Sequence, residues 1–157
     1  MKLRQERALE FVEMIRDNPG SFIQETLETE KFQDGFVYAL EYFLRERNSI
    51  KRAILKEVFL GFSASVEKET FPLERFNHVT SQLSLEDIAT LRDVQRERVP
   101  GFYQVYGKDP RRIENIFNLV HLGLLEQDTA ARLAPVTAPF VNISDFGIEY
   151  AKYIRGN

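Results

Sequence analysis

Apolar residues recur at helical spacing along most of this chain, and Asn, Pro, Gly and Ser punctuate the runs. Ala8, Phe11, Val12 and Ile15 predict a first helix from Leu3 to Asp17, closed by Asn18-Pro19-Gly20. Ser21 with Gln24 has the form of a capping box, so a second helix is expected to start there. Gly35 weakens its continuation. Phe36, Leu40, Phe43 and Leu44 then carry the stripe to about Arg47, as one broken helix or two short ones. Asn48-Ser49 is the next cap, and the segment Ile50 to Phe62 is apolar nearly all round, the pattern of a helix at the centre of a bundle.

Pro72 stands in the first turn of a further helix with Leu73, Phe76, Val79 and Leu83 on its inner face. Ser84, followed by Glu86 and Asp87, starts another, in which Leu85, Ile88, Leu91 and Val94 face inward and the carboxylates complement the N-terminal dipole. Val99-Pro100-Gly101 closes it. The stretch from Pro100 to Pro110 reads as a loop carrying Phe102, Tyr103 and Tyr106, and Asp109-Pro110 opens a helix with Ile113, Ile116, Phe117 and Val120. Gly123 suits the left-handed position beyond that helix. Leu124-Leu125-Glu126 and Phe140-Val141-Asn142-Ile143 are two short extended pieces that fit a small β-hairpin. Ser144 or Asp145 caps a last helix whose inner face is Phe146, Tyr150, Ala151 and Ile154.

The order of the pieces over roughly the last third of the chain resembles the back half of a winged-helix domain: a helix, then Leu122-Gly123-Leu124-Leu125-Glu126, a polar gap, and Val141-Asn142-Ile143-Ser144-Asp145-Phe146-Gly147 leading into a final helix. The run Leu83-Ser84-Leu85-Glu86-Asp87-Ile88, with Asn118 to Leu125 and the Phe146-Gly147 helix, is also similar to small helical proteins of the abortive-infection alpha type. The expected fold is therefore mainly α: a helical bundle over residues 1–83, packed on a winged-helix-like unit over residues 84–157, sharing one core. The resemblance implies a recognition helix from Arg111 to His121, with Arg111, Arg112, Asn115 and Asn118 toward base edges.

Composition narrows the function. The 157 residues hold 43% apolar and 29% charged side chains with a net charge of -3, a globular mixture that argues against coating nucleic acid or anionic membranes by bulk charge. No cysteine is present, which removes disulfides, thiol nucleophiles and thiolate metal sites and fits a cytoplasmic setting. The charged start and the lack of a long apolar run lead us to expect neither a leader nor a membrane span.

Candidate chemistry is sparse. Lys108, Arg111 and Arg112 beside Tyr103 and Tyr106 form a basic and aromatic cluster suited to phosphates and unpaired bases, or simply a tyrosine-rich loop with solvated cations. Arg45, Arg47, Lys51, Arg52 and Lys56 are interrupted by Glu46 and Glu57, as on solvated helix faces with local ion pairs. His78 lies four residues after Glu74, but the chain has only 2 His, too few for a convincing metal site. There is no nucleophile elbow, phosphate loop or dinucleotide fingerprint. Phe11, Phe22, Phe32, Phe36, Phe43, Phe59 and Phe62 make either a filled interior or an aromatic surface for a partner. The function expected is a non-enzymatic, cofactor-free regulatory or protein-interaction module, homodimeric, with a DNA-binding regulator as the alternative.

Overall fold

The computed structural model describes residues 2–65, 70–96, 103–104, 110–127 and 140–154, with backbone alone at 103, 104, 110, 111 and 140. It is mainly helical and divides into two compact units, the first running to Gln82 and the second starting at Leu83.

The first unit contains α1 (Lys2–Asp17), a 3-10 turn (Pro19–Ser21), α2 (Gln24–Leu27), α3 (Glu30–Arg45), α4 (Ser49–Ala64) and α5 (Leu73–Gln82). Phenylalanine builds its core. Phe59 of α4 is fully buried, and its ring lies 5.2 Å from Phe11, 6.0 Å from Phe32 and Phe36, 6.1 Å from Phe22 and 6.2 Å from Phe62. These tilted and edge-on contacts suit the ring quadrupole and hold together four elements that are distant in sequence. Among the described residues of this unit these rings fill the interior, and the exposed large apolar side chains, such as Leu3, Leu9 and Val37, are aliphatic.

Three local expectations are corrected here. The helix expected at Ser21 does not start there: Ser21 ends the 3-10 turn, and α2 begins after Ile23 without a side-chain cap. The strong cap is Thr29, whose hydroxyl accepts from the Phe32 N–H at 3.2 Å and donates to the Thr26 carbonyl at 2.7 Å. From it α3 runs unbroken through Gly35, because that glycine is needed by packing: a Cβ there would lie 2.6 Å from the Phe62 ring. In α1 the buried face is Phe11 and Met14, whereas Val12, expected inside, is 56% exposed. The cap at Asn48 stands as read, its side chain accepting from Ile50 N–H at 2.9 Å and Lys51 N–H at 3.2 Å.

The second unit contains α6 (Leu85–Arg96), β1 (Tyr103–Gln104), α7 (Pro110–His121), β2 (Leu125–Gln127), β3 (Phe140–Ile143) and α8 (Asp145–Ile154). A reciprocal box starts α6: the Asp87 N–H donates to the Ser84 hydroxyl at 3.0 Å, and the Ser84 N–H donates to the Asp87 carboxylate at 2.8 Å. The strands form an antiparallel sheet in the order β1-β3-β2, with Tyr103 opposite Val141 and Leu125 opposite Ile143. The stretch read as an aromatic loop therefore includes a strand at Tyr103–Gln104. Isolated extended residues carry too little periodicity to reveal one, since the pairing partner lies far along the chain.

Gly123 has φ 75°, the left-handed conformation that turns the chain out of α7. Ser144 then joins the two helices that flank the sheet: its hydroxyl donates to the Gly123 carbonyl at 2.6 Å and accepts from the Gly147 N–H at 2.9 Å. The start of α8 is seated so closely that a Cβ at Gly147 would run into the Leu124 carbonyl. Phe146, Tyr150, Ala151 and Ile154 all face the interior.

Candidate interaction face on the second unit

Helix α7 carries most of the residues singled out by sequence. Its apolar Ile116 and Leu119 are fully buried, so the helix has one fixed orientation in its unit. The flank beside them meets α6 in a polar seam. Asn118 donates to Asp87 at 2.8 Å, Asn115 donates to the Thr90 hydroxyl at 3.4 Å, and Arg112 lies 3.9 Å from the Asp93 carboxylate. Each step is three residues on both helices, which run antiparallel, so one turn of α6 answers one turn of α7. Asp87 is only 3% exposed, and its partner Asn118 is half-buried.

Of the candidate nucleic-acid residues, the three whose side chains are described, Arg112, Asn115 and Asn118, turn toward α6. The Arg111 side chain and the whole of Lys108 lie outside the described residues, as does Tyr106. The face of α7 that does reach solvent is Glu114, Phe117 and His121, with Phe117 48% exposed. Ile113 and Val120 flank it, half-buried. Phe117 is one of the four apolar positions whose spacing predicts the helix, and it faces outward. Its helical angle, half a turn from Leu119, is the signal that would have placed it outside.

The other basic group resolves into ion pairs. Glu10 of α1 takes Lys56 at 2.7 Å and Arg52 at 3.2 Å, Glu46 takes Lys51 at 3.3 Å, and Glu41 takes Arg45 at 3.6 Å. The Lys51 side chain is only 12% exposed, and the Glu10 partners come from a helix some forty residues away, so these are not merely solvated local pairs. Burial by itself would raise the Glu10 carboxyl, but hydrogen bonds and charge from Lys56, with Arg52 beside it, outweigh that and hold it below the ordinary value. The Tyr38 phenol is pushed up to about 12, chiefly by its hydrogen bond with Tyr42 and secondarily by burial, with the charges of Tyr42, Glu74 and Glu41 adding to both.

His78 sits on the exposed side of α5, its Nε2 3.0 Å from the Gln82 amide nitrogen. Among the described residues no three His, Asp or Glu side chains come together as metal ligands, and no helix is long and apolar enough to cross a membrane. Asn77, which sequence reasoning passed over, is fully buried in α5, and neither of its amide atoms has a hydrogen-bond partner among the described residues. Compared with protein-family models, curated proteins and solved structures, the chain matches none.

Proposed function

We propose that this chain is a non-enzymatic regulatory protein of the cytoplasm that acts by binding another protein, or itself, through α7 of a winged-helix-like second unit. The observation that carries the reading is the exposure of Phe117 at the middle of a regular helix whose remaining faces are already occupied by the core and by α6. A large aromatic ring flanked by half-buried aliphatics and rimmed by a carboxylate and an imidazole has the composition of a protein contact. The succession α6, β1, α7, β2, β3, α8 with β3 in the middle of the sheet supports the winged-helix-like description.

DNA binding by the same helix is the alternative, favoured by that succession of elements. It is weighed down by Glu114 on the solvent side of α7 and by the engagement of Asn115 and Asn118 with α6, since phosphate readers present cations and free amides. A photo-reactive phenylalanine analogue at position 117 tests the reading directly. A cross-linked protein adduct is the expected product; no protein adduct from cells expressing the variant would overturn it. Salt-sensitive binding of random duplex DNA, lost on Arg111→Ala, would instead favour the alternative.

A further inference from the structure

Resting on the reading of α7 as a contact helix, we infer that its partner is a second copy of this chain, with the two α7 helices antiparallel about a two-fold axis beside Phe117. The argument lies in the order of residues on the exposed face. When two identical helices pack antiparallel across such an axis, each flank meets the same flank of the other copy, and a residue before the axis meets the one equally far beyond it. With the axis between Phe117 and Asn118, Glu114 and His121 are equally distant from it, and both are exposed on the same flank. Each Glu114 carboxylate then faces the partner's His121, and the pair forms twice.

On the other flank Ile113 and Val120 are half-buried and equally apolar, and the same axis brings Ile113 within a turn of the partner's Val120. The two Phe117 rings meet at the centre, where an exposed aromatic contributes most to an interface. The charge pattern distinguishes a second copy from other occupants. An acidic partner would be repelled by Glu114 and a purely apolar one would leave both polar groups without a partner, whereas the self-docked arrangement sets each Glu114 carboxylate against an imidazole that can donate a hydrogen bond to it. A contact centred on one helix lies at the small end of specific interfaces, so we expect a micromolar dissociation constant rather than a permanent dimer.

Sedimentation equilibrium of the full chain from about 1 to about 300 µM reads this out. The wild type should pass from monomer to dimer within that range. Phe117→Ser, at a solvent-facing position, should keep the same circular dichroism and remain monomeric throughout. Glu114→Lys alone and His121→Glu alone should each weaken association by about tenfold, because the first removes the carboxylate acceptor that faces the imidazole and the second sets two carboxylates against one another, and either change occurs twice. The double variant Glu114→Lys with His121→Glu should return to within about threefold of wild type, since the pair is re-formed in reverse.

A wild type that stays monomeric, a Phe117→Ser variant that dimerises normally, or a double variant weaker than both single ones would overturn the inference. The cross-link at position 117 separates its failure from that of the function proposed above. An adduct of twice the chain mass supports both. An adduct with a different protein and none with itself overturns the self-association and leaves the interaction module standing, and no adduct of either kind overturns both.

Discussion

One carboxylate oxygen of Asp87 accepts two hydrogen bonds at once, 2.8 Å from the Ser84 backbone N–H and 2.8 Å from the Asn118 side-chain amide. The cap of α6 and the contact of α6 with α7 therefore share an atom. Asp87→Ala should destabilise the second unit by about 2 kcal/mol, and Asn118→Ala by about 1 kcal/mol. The double variant should cost little more than Asp87→Ala alone. Chemical denaturation of the four proteins measures the coupling; simple additivity would mean that the two bonds are independent.

Phe59 is the residue around which the first unit closes, touching rings from α1, α3 and the segment at Phe22. Phe59→Ala is expected to cost about 3 to 5 kcal/mol, because the rings around it cannot all move in to fill the space. Phe59→Leu should recover much of that. Urea midpoints, with the second unit's unfolding followed separately by hydrogen exchange, give the comparison.

The Glu10 carboxyl, held low by Lys56 and Arg52, stabilises the first unit in its ionised form. A depressed native value means that the contribution is present above the ordinary value of 4.5 and disappears as the pH falls through the native one. Glu10→Gln should therefore be less stable than wild type at pH 7, with the gap closing in acid as the pH falls through the lowered native value. An unchanged gap at low pH would place the effect in packing rather than charge.

Asn77 keeps a polar amide in the interior without a hydrogen bond among the described residues. A side chain of similar shape and no polarity suits such a position better, so Asn77→Leu should raise the stability of the first unit by about 1 to 2 kcal/mol. Loss of stability instead would reveal a partner that the amide normally satisfies. Thermal melts settle the sign.

Gly147→Ala should be among the most damaging single-carbon changes in the chain, since the added carbon meets a backbone carbonyl that cannot rotate away. About 2 kcal/mol or more is expected. Gly20→Ala, where the added carbon meets nothing, is the control and should be close to neutral.

The parts of this fold that were legible in the sequence are those settled within one turn. Asn48, Ser84 and Ser144 cap their helices because a hydroxyl or amide reaches N–H groups two or three residues ahead, and Gly123 turns left-handed because little else can. What misled the reading depends on distant partners. Gly35 looked like a break because its reason for being there is a Phe62 ring on the next helix. Tyr103–Gln104 is a strand only because Phe140 and Val141 pair with it. Asn115 and Asn118 were correctly placed on α7, but their direction is set by α6. The signal was nonetheless present: Asp87, Thr90 and Asp93 repeat at the same three-residue step as Arg112, Asn115 and Asn118.

That shared step makes the seam a vernier with more than one matching mark. Sliding α7 by one step would set Asn115 against Asp87 and Arg112 against Thr90, or Asn118 against Thr90 and Asn115 against Asp93, and every pairing still joins a donor to an acceptor. Polar contacts of this kind hold two helices together without deciding where each stops. The decision falls to features that do not repeat, and both lie at the Asn118 end of the seam: the doubly used Asp87 and, just beyond the last turn of α7, the Gly123 turn clasped by Ser144. A change in either feature is thus expected to loosen the alignment of the whole pair, although it alters only one of the rungs or none.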